Sequence, residues 1–138
     1  MRVCVVGAGY VGTVAAACLA DMGHEVLAVE IDEERVERLN EGDPCIHEPD
    51  LEGLLRKGLK AGRLAFSADY GKASGADVAL ICVNTPPLPE GGYDLSPVES
   101  ATRSLCSLRS PPKCIAIKST VPVGTVDFMA MHFGGDRR

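Results

Sequence analysis

An apolar run that leads into a glycine-rich hexapeptide constrains the fold of this chain more than any other feature. Residues 3–6 are all apolar, which is typical of a strand buried on both faces of a parallel sheet. The hexapeptide Gly7-Ala8-Gly9-Tyr10-Val11-Gly12 follows, and from Val11 apolar side chains recur at helical spacing as far as Met22. The sequence therefore predicts a strand, a glycine turn and a helix in direct succession, which is the first half of a β-α-β unit.

An acid closes the second predicted strand. The apolar residues 26–29 end at Glu30, which lies 18 residues after Gly12. Asp32 is placed to cap the helix that follows, and two glutamates fall in its first turn, where the positive end of the helix dipole favours carboxylates. A G-x-G-x-x-G turn between a strand and a helix, with an acid at the end of the next strand, is the fingerprint of a dinucleotide-binding unit.

Each part of this fingerprint has a physical role. Gly7 permits the tight turn, Gly9 lets the backbone approach a pyrophosphate, and Gly12 allows the helix to pack closely on the strand. The unpaired amides at the helix start then bind the anion. The Glu30 carboxylate can accept hydrogen bonds from two ribose hydroxyls but would repel a 2′-phosphate, so the sequence predicts NAD in preference to NADP. Arg35, one turn into the next helix, either flanks the adenosine or is a solvated arginine of the helix face.

The rest of the chain continues the alternation of strands and helices. Strands are predicted at residues 63–66, 78–83 and 114–117, of which the second is a buried central strand. Helices are predicted at residues 50–59, 70–74, 96–108 and 123–133. The sequence Ser96-Pro97-Val98-Glu99 indicates a capping box with the serine as N-cap. Strands that alternate with helices imply right-handed crossovers and a doubly wound parallel sheet. We therefore expect an α/β protein of the Rossmann type, formed by one domain over residues 1–138.

Composition and charge exclude several classes of function. The net charge is −5 and the 14 basic residues are scattered, which argues against a nucleic-acid partner. No apolar run approaches the roughly 20 residues of a membrane span, and the segment after Met1 is unlike a signal peptide, so we expect no membrane association and a cytoplasmic location. The six cysteines form no C-x-x-C pair and the three histidines are far apart, so we expect reduced structural thiols and no metal site.

Four motifs in the same order resemble those of the UDP-glucose/GDP-mannose dehydrogenase family. They are the glycine turn, Ile46-His47-Glu48-Pro49-Asp50-Leu51, Val83-Asn84-Thr85-Pro86-Pro87, and Lys118-Ser119-Thr120-Val121-Pro122-Val123-Gly124. The likeness extends from Met1 to about Phe133. Three positions depart mildly from the family pattern: Glu30 stands where aspartate is usual, Asp50 where glycine is common, and His47 where tyrosine is frequent.

The resemblance implies a cofactor site at the carboxyl ends of the strands, where open α/β sheets bind ligands. In the family, the loop after the fourth strand touches the dinucleotide, and the loop after the fifth approaches its nicotinamide end. Thr85 and Thr120 are the hydroxyls that we expect to contact the cofactor, and Thr120 is also expected to help position a catalytic water; a threonine beside a proline can also serve only to shape a turn. The predicted NAD contacts are Gly7, Ala8, Gly9, Tyr10, Val11, Gly12, Glu30, Arg35, Val83, Asn84, Thr85, Pro86, Pro87, Ser119, Thr120 and Val121.

The resemblance also implies an activity. Family members oxidise the primary alcohol of a nucleotide sugar to the carboxylate with two NAD molecules, through a thiohemiacetal on a catalytic cysteine. That cysteine, with the lysine, asparagine and aspartate that assist it, belongs to regions of the family beyond residue 138, so we expect none of the six cysteines here to be catalytic. The expected substrate of the complete enzyme is UDP-glucose, oxidised at C6 to UDP-glucuronate, with GDP-mannose and N-acetylated UDP-sugars as alternatives.

Residues 134–138 fall where a sixth strand of the family's sheet should begin. We therefore expect a Rossmann half that is truncated before this strand, lacks the central helical and C-terminal sugar-nucleotide-binding domains, and is inactive alone. The resemblance implies that the full-length form is a homodimer through the central domain or is completed by a separate C-terminal partner. Two other classes remain open: a non-catalytic NAD(H)-sensing module, and a flavin- or NADP-dependent reductase. The neighbouring gene distinguishes the sensing module from a dehydrogenase domain, and a titration with NAD and NADP distinguishes the reductase.

Overall fold

A computed structural model describes residues 1–133 as a five-stranded parallel sheet with helices on both faces. The strands are β1 (Arg2–Val6), β2 (Glu25–Val29), β3 (Leu64–Ser67), β4 (Val78–Ile81) and β5 (Cys114–Ile117). The helices are α1 (Tyr10–Asp21), α2 (Glu33–Asn40), α3 (Leu51–Lys60), α4 (Ser96–Cys106) and α5 (Thr125–Phe133), with a short 3₁₀ helix at Tyr70–Ala73. The strand order β3-β2-β1-β4-β5 is that of a doubly wound Rossmann sheet, which confirms the predicted fold class.

The central strand β1 is buried on both faces. Val3 and Val5 belong to one core cluster, Cys4 and Val6 to the other, and each of the four is at most 5% exposed. The first face is covered by side chains of α1, α2 and α3, namely Ala16, Ala20, Leu39 and Leu55. The second face is covered by side chains of the 3₁₀ helix, α4 and α5, namely Ala73, Val98, Ala101, Leu105 and Met129. A strand with a helical layer on each side needs apolar residues at every position, which explains the continuous apolar run.

Local sequence explains how α1 ends and α2 begins. Gly23 adopts a φ of +95°, and its amide donates to the carbonyl of Ala20 at 3.0 Å. The amide of His24 donates to the carbonyl of Leu19 at 3.1 Å, which completes a Schellman motif. At the start of α2, the Asp32 carboxylate accepts a hydrogen bond from the amide of the third helical residue at 3.1 Å. The predicted caps of both helices are therefore confirmed.

The start of α4 differs from the prediction. The N-cap is Leu95, which already has helical backbone angles, and Ser96 is the first helical residue, so the predicted capping box is wrong. The Asp94 carboxylate instead accepts a hydrogen bond from the amide of Ser96 at 2.9 Å, and the hydrogen bonds from Ser96 lower the pKa of Asp94. Asp94, two residues before Ser96, therefore caps the start of α4 in place of the serine.

The far edge of the sheet also differs in detail. Helix α5 begins at Thr125, two residues later than predicted, and buries Thr125 and Met129, while the predicted inner residues Val126 and Ala130 are exposed. Within residues 1–133, β5 has a strand neighbour on one side only, and an apolar groove of about 500 Å³ lies beside it between α4 and α5. The predicted start of a sixth strand, residues 134–138, lies outside the described residues. Among the helices of residues 1–133, none is long and apolar enough to cross a membrane.

Candidate cofactor-binding site

The glycine turn brings the ends of β1, β2 and β4 together. Gly7 adopts a φ of +90°, and its amide donates to the carbonyl of Val29 at 2.8 Å. A Cβ on Gly7 would lie 3.1 Å from both the carbonyl oxygen of Cys82 and the amide nitrogen of Val83. A Cβ on Gly12 would lie only 1.7 Å from the carbonyl oxygen of Gly7. Helix α1 can therefore approach β1 this closely only with glycine at position 12.

Gly9 faces open space. It is the N-cap of α1 with a φ of −75°. Apart from Gly9 itself and its two chain neighbours, no described residue has an atom within 4 Å of the place where its Cβ would be. No side chain within residues 1–133 caps this helix start, and the first amides of a helix have no partner within the helix. An anion beside Gly9 would meet these amides and the positive end of the helix dipole.

The acid at the end of β2 is tied to the glycine turn. The Oε2 atom of Glu30 accepts a hydrogen bond from the amide of Ala8 at 2.8 Å, and its Oε1 atom accepts one from the amide of Asp32 at 3.1 Å. A carboxylate can accept about four hydrogen bonds, so capacity remains for ribose hydroxyls. The Nη1 atom of Arg35 donates to the carbonyl of Ala8 at 3.4 Å. The structure thus brings both Glu30 and Arg35 to the glycine turn.

Two side-chain contacts of this turn lie outside the sequence predictions. The buried hydroxyl of Thr13 donates to the carbonyl of Ala8 at 2.9 Å and fixes the turn against α1. The hydroxyl of Tyr10 donates to the carboxylate of Glu48, which joins the start of α1 to the segment of residues 46–51. In that segment Asp50 adopts a φ of +64°, a conformation that explains why glycine is common there in the family. A tyrosine and a glutamate separated by 38 residues leave no local pattern from which their contact could be found.

The loops that follow β4 and β5 contact each other through their side chains. The hydroxyl of Ser119 donates to the carbonyl of Val83 at 2.7 Å. The hydroxyl of Thr85 donates to the carbonyl of Thr120 at 2.8 Å. Residues 83–87 and 119–121, which the sequence analysis predicts as cofactor contacts, are therefore neighbours at one edge of the sheet.

A cleft of about 450 Å³ lies along this edge. Predicted contacts that line it are Gly7, Gly9, Glu30, Arg35, Val83 and Asn84. Thr85 and Thr120, although within the described residues, are not among its walls and lie in the adjoining loops. Tyr70 is a wall residue that the sequence does not predict. Burial raises its pKa to about 12, and ionisation of Cys4 and the negative charge of Glu30 act in the same direction.

Cys82 also lines the cleft. Burial raises the pKa of its thiol, while the positive charge of Lys118 acts in the opposite direction. A thiol of raised pKa is mostly protonated near neutral pH and is a weak nucleophile. Within residues 1–133, no group of three or more histidine, cysteine, aspartate or glutamate side chains is arranged to hold a metal ion.

A comparison with known protein families shows to which family the chain belongs. A sequence profile of the UDP-glucose/GDP-mannose dehydrogenase family, NAD binding domain, matches residues 1–136. The chain belongs to this family. The matched region is the family's NAD-binding domain, so the predicted resemblance and the predicted cofactor, NAD, are both confirmed.

Individual relatives of this NAD-binding domain are much longer proteins. UDP-glucose 6-dehydrogenase of Pseudomonas aeruginosa is 49% identical over 130 residues, which cover 92% of this chain and 28% of that protein. GDP-mannose 6-dehydrogenase of the same organism is 39% identical over 131 residues, which cover 92% of this chain and 30% of that protein.

Solved structures of the family superpose closely on this domain. The ternary complex of GDP-mannose dehydrogenase from Pseudomonas aeruginosa has a TM-score of 0.90 at 36% identity, over 97% of this chain and 33% of that one. The UDP-D-ManNAc dehydrogenase from Pyrococcus horikoshii has a TM-score of 0.90 at 33% identity, over 95% of this chain and 31% of that one. The chain thus spans about a third of the length of the family members it matches.

Proposed function

We propose that this chain is the NAD-binding domain of a longer UDP-glucose 6-dehydrogenase and that it cannot complete the reaction alone. The observation that carries the proposal is the hydrogen bond between Glu30 and the amide of Ala8, beside the open helix start at Gly9. Identity of 49% to a UDP-glucose 6-dehydrogenase, against 39% to a GDP-mannose 6-dehydrogenase, favours UDP-glucose as the substrate. GDP-mannose and N-acetylated UDP-sugars are the alternative substrates.

The residues of the cleft fit a dinucleotide in shape and in charge. The space beside Gly9 and the free amides of α1 suit a pyrophosphate, because a side chain at position 9 would fill that space. The Glu30 carboxylate accepts hydrogen bonds from the adenosine ribose and disfavours a 2′-phosphate, while Arg35 flanks the adenosine. The loops at residues 83–87 and 119–121 hold the nicotinamide half, and Thr120 helps to position a water. When bound, NAD accepts a hydride from the substrate.

The cysteines of this chain do not supply the nucleophile of the proposed reaction. Burial raises the pKa of Cys4 to about 12 and raises that of Cys82, so neither thiol is an effective nucleophile. The other four cysteines, Cys18, Cys45, Cys106 and Cys114, are not among the walls of the described cleft. We therefore assign the catalytic cysteine and the sugar pocket to domains that complete the enzyme in cis or as a separate chain.

Two measurements test the proposal. Calorimetric titration of the purified chain should show one site for NAD and binding of NADP that is about tenfold weaker, the cost of losing a charge-assisted contact. Incubation with UDP-glucose and NAD should give no sustained NADH production. Absence of heat with both NAD and NADH would contradict the binding site, and steady turnover by the chain alone would contradict the proposed inactivity.

A chimera tests whether this domain supports the oxidation of a nucleotide sugar. In it, this chain replaces the matching part of the Pseudomonas aeruginosa UDP-glucose 6-dehydrogenase. Because the sugar pocket of the chimera comes from that enzyme, we expect NADH production with UDP-glucose when the chimera is folded. A folded chimera that binds NAD but oxidises no nucleotide sugar would favour a non-catalytic NAD(H)-binding module.

A further inference from the structure

The loops after β4 and β5 are joined by two hydrogen bonds that run in opposite directions. Ser119, in the loop after β5, donates to the carbonyl of Val83 at 2.7 Å, and Thr85, in the loop after β4, donates to the carbonyl of Thr120 at 2.8 Å. We propose that these two bonds form a latch that fixes the loops relative to each other, and that Ser119 is a positioning residue for the nicotinamide half of the cofactor. This inference rests on the proposed NAD-binding function.

The latch begins where the main-chain ladder ends. The last residue pair of the β4–β5 ladder is Ile81 with Ile117. Beyond it, the carbonyl of Ile81 accepts from the amides of both Lys118 and Ser119, at 2.8 and 3.1 Å. Because one carbonyl takes both amides, the regular alternation of the ladder stops there. The hydroxyls of Ser119 and Thr85 continue the connection between the two chain segments.

The prolines of the two loops explain why side chains, and not main-chain amides, donate the hydrogen bonds between them. Pro86, Pro87 and Pro122 have no amide hydrogen, so these positions cannot donate main-chain hydrogen bonds between the loops. A hydroxyl has a single proton to donate. Since the protons of Ser119 and Thr85 are already given to carbonyls, these hydroxyls hold the loops together and retain only acceptor capacity for a ligand.

The latch also reaches the glycine turn. The carbonyl of Val83 receives the Ser119 hydroxyl, and the amide nitrogen and side chain of Val83 would lie 3.1 Å from a Cβ on Gly7. Val83 therefore lies close beside the turn that follows β1 and accepts a hydrogen bond from the loop that follows β5. Loops that are ordered before binding lose less conformational entropy when a ligand arrives, so the latch should favour binding of the nicotinamide half specifically.

Ser119→Ala tests the positioning role. The Kd for NAD should rise about fivefold, the usual worth of one hydrogen bond, while the Kd for ADP, which is held by the glycine turn and Glu30, should change less than about twofold. Ser119→Thr keeps a hydroxyl and should restore most of the NAD affinity. The matched control is Ser107→Ala, which removes a hydroxyl that donates to the carbonyl of Arg103 at 2.8 Å at the end of α4. Equal weakening of NAD and ADP, or unchanged NAD affinity, would overturn the proposal.

Hydrogen exchange tests the latch without any ligand. In Ser119→Ala, the amide of Asp94, which donates to the carbonyl of Pro86 in the opposite loop at 2.8 Å, should exchange faster than in the parent, and in Ser107→Ala it should not. Thr85→Val should in turn speed exchange of the amide of Ser119, which donates to the carbonyl of Ile81 at 3.1 Å. If the exchange rates of these amides are unchanged in both Ser119→Ala and Thr85→Val, the latch is refuted, regardless of how the variants bind NAD. If the variants exchange faster but the parent chain binds no NAD, the latch is supported and the proposed cofactor site is refuted.

A double-mutant cycle separates a shared latch from two independent cofactor contacts. If the two bonds act as one unit, Thr85→Val should weaken NAD binding less in the Ser119→Ala background than in the parent. Additive losses would show that each hydroxyl acts on the cofactor separately, and would overturn the latch.

Discussion

The amide of Ala8 donates to the carboxylate of Glu30 at 2.8 Å, so the acid that closes β2 holds the glycine turn that follows β1. The other oxygen of the same carboxylate accepts from the amide of Asp32, at the start of α2. Two main-chain donors therefore fix the orientation of Glu30 at the cleft. An acid that is fixed in this way needs no reorientation when a ribose arrives, which keeps the cost of binding low.

Glu30→Gln should weaken NAD binding about tenfold and narrow the preference for NAD over NADP. The amide has one oxygen, so it cannot serve both Ala8 and Asp32 as the carboxylate does, and charge-assisted hydrogen bonds to the ribose are lost. Calorimetric titration with both cofactors measures the two effects. Glu37→Gln, on the exposed side of α2, is the matched control and should bind like the parent. An unchanged affinity for NAD in Glu30→Gln would show that the Glu30 carboxylate does not bind the ribose.

Alanine substitutions separate the roles of two glycines of the turn. Gly12→Ala places a Cβ 1.7 Å from a main-chain oxygen and should cost about 3 kcal/mol of unfolding free energy. Gly9→Ala meets no described atom within 4 Å, so its stability should stay within about 1 kcal/mol of the parent. It should nevertheless lose NAD binding, because the new methyl group occupies the space proposed for the pyrophosphate. Urea unfolding and calorimetry test this contrast, and tight NAD binding by Gly9→Ala would contradict it.

The parts of the fold that the sequence predicts depend on local rules. The apolar run of β1, the glycine turn and the Asp32 cap each follow from a few adjacent residues, and the structure confirms them. The start of α4 also depends on adjacent residues, but two of them, Asp94 and Ser96, have side chains of the type that caps a helix. Asp94 reaches the amide of Ser96 from outside the helix, whereas a capping box at Ser96 would have needed that residue itself to leave the helical conformation.

The parts of the site that the sequence does not predict depend on contacts between distant segments. The motif containing Thr85 and the motif containing Thr120 can each be recognised, but neither shows that the hydroxyl of the first is bonded to the carbonyl of the second. That contact exists because β4 and β5 are parallel neighbours, so the loops at their carboxyl ends start side by side. The tie between Tyr10 and Glu48 is of the same kind.

Tyr10→Phe should lower the unfolding free energy by about 0.5–1 kcal/mol, since it removes one hydrogen bond and keeps the ring. Residues 46–51 should also become more sensitive to limited proteolysis, because Tyr10 joins this segment to α1. Glu48→Gln alone should have a smaller effect than Glu48→Ala, as an amide oxygen can still accept the bond. The matched control is Tyr93→Phe, which changes an exposed tyrosine with no hydroxyl hydrogen bond within residues 1–133. Equal losses in the two tyrosine variants would show that the Tyr10 bond contributes nothing specific.

A carboxylate at the opposite end of the sheet provides a test of acid sensitivity. The Oδ1 atom of Asp77 accepts a hydrogen bond from the ammonium of Lys113 at 2.6 Å, and its Oδ2 atom accepts one from the amide of Arg2 at 2.9 Å. The bond from Lys113 is the largest cause that lowers the pKa of Asp77, followed by the bond from Arg2. The ionised form of Asp77 is therefore more favourable in the folded chain than in the unfolded chain.

Asp77→Asn should lower the Tm at pH 7 and have progressively less effect in acid. A carboxyl whose pKa is lowered by folding stabilises the protein above its unfolded pKa of about 3.9, and this contribution is lost as the pH falls through the folded pKa. The parent should thus lose its advantage over the variant between about pH 4 and pH 2. Thermal unfolding of both proteins across this range measures the gap in Tm. The matched control is Glu37→Gln, which changes an exposed acid of α2 that forms no ion pair within residues 1–133. A gap in Tm that stays constant down to about pH 2 would show that the ion pair with Lys113 does not stabilise the folded chain.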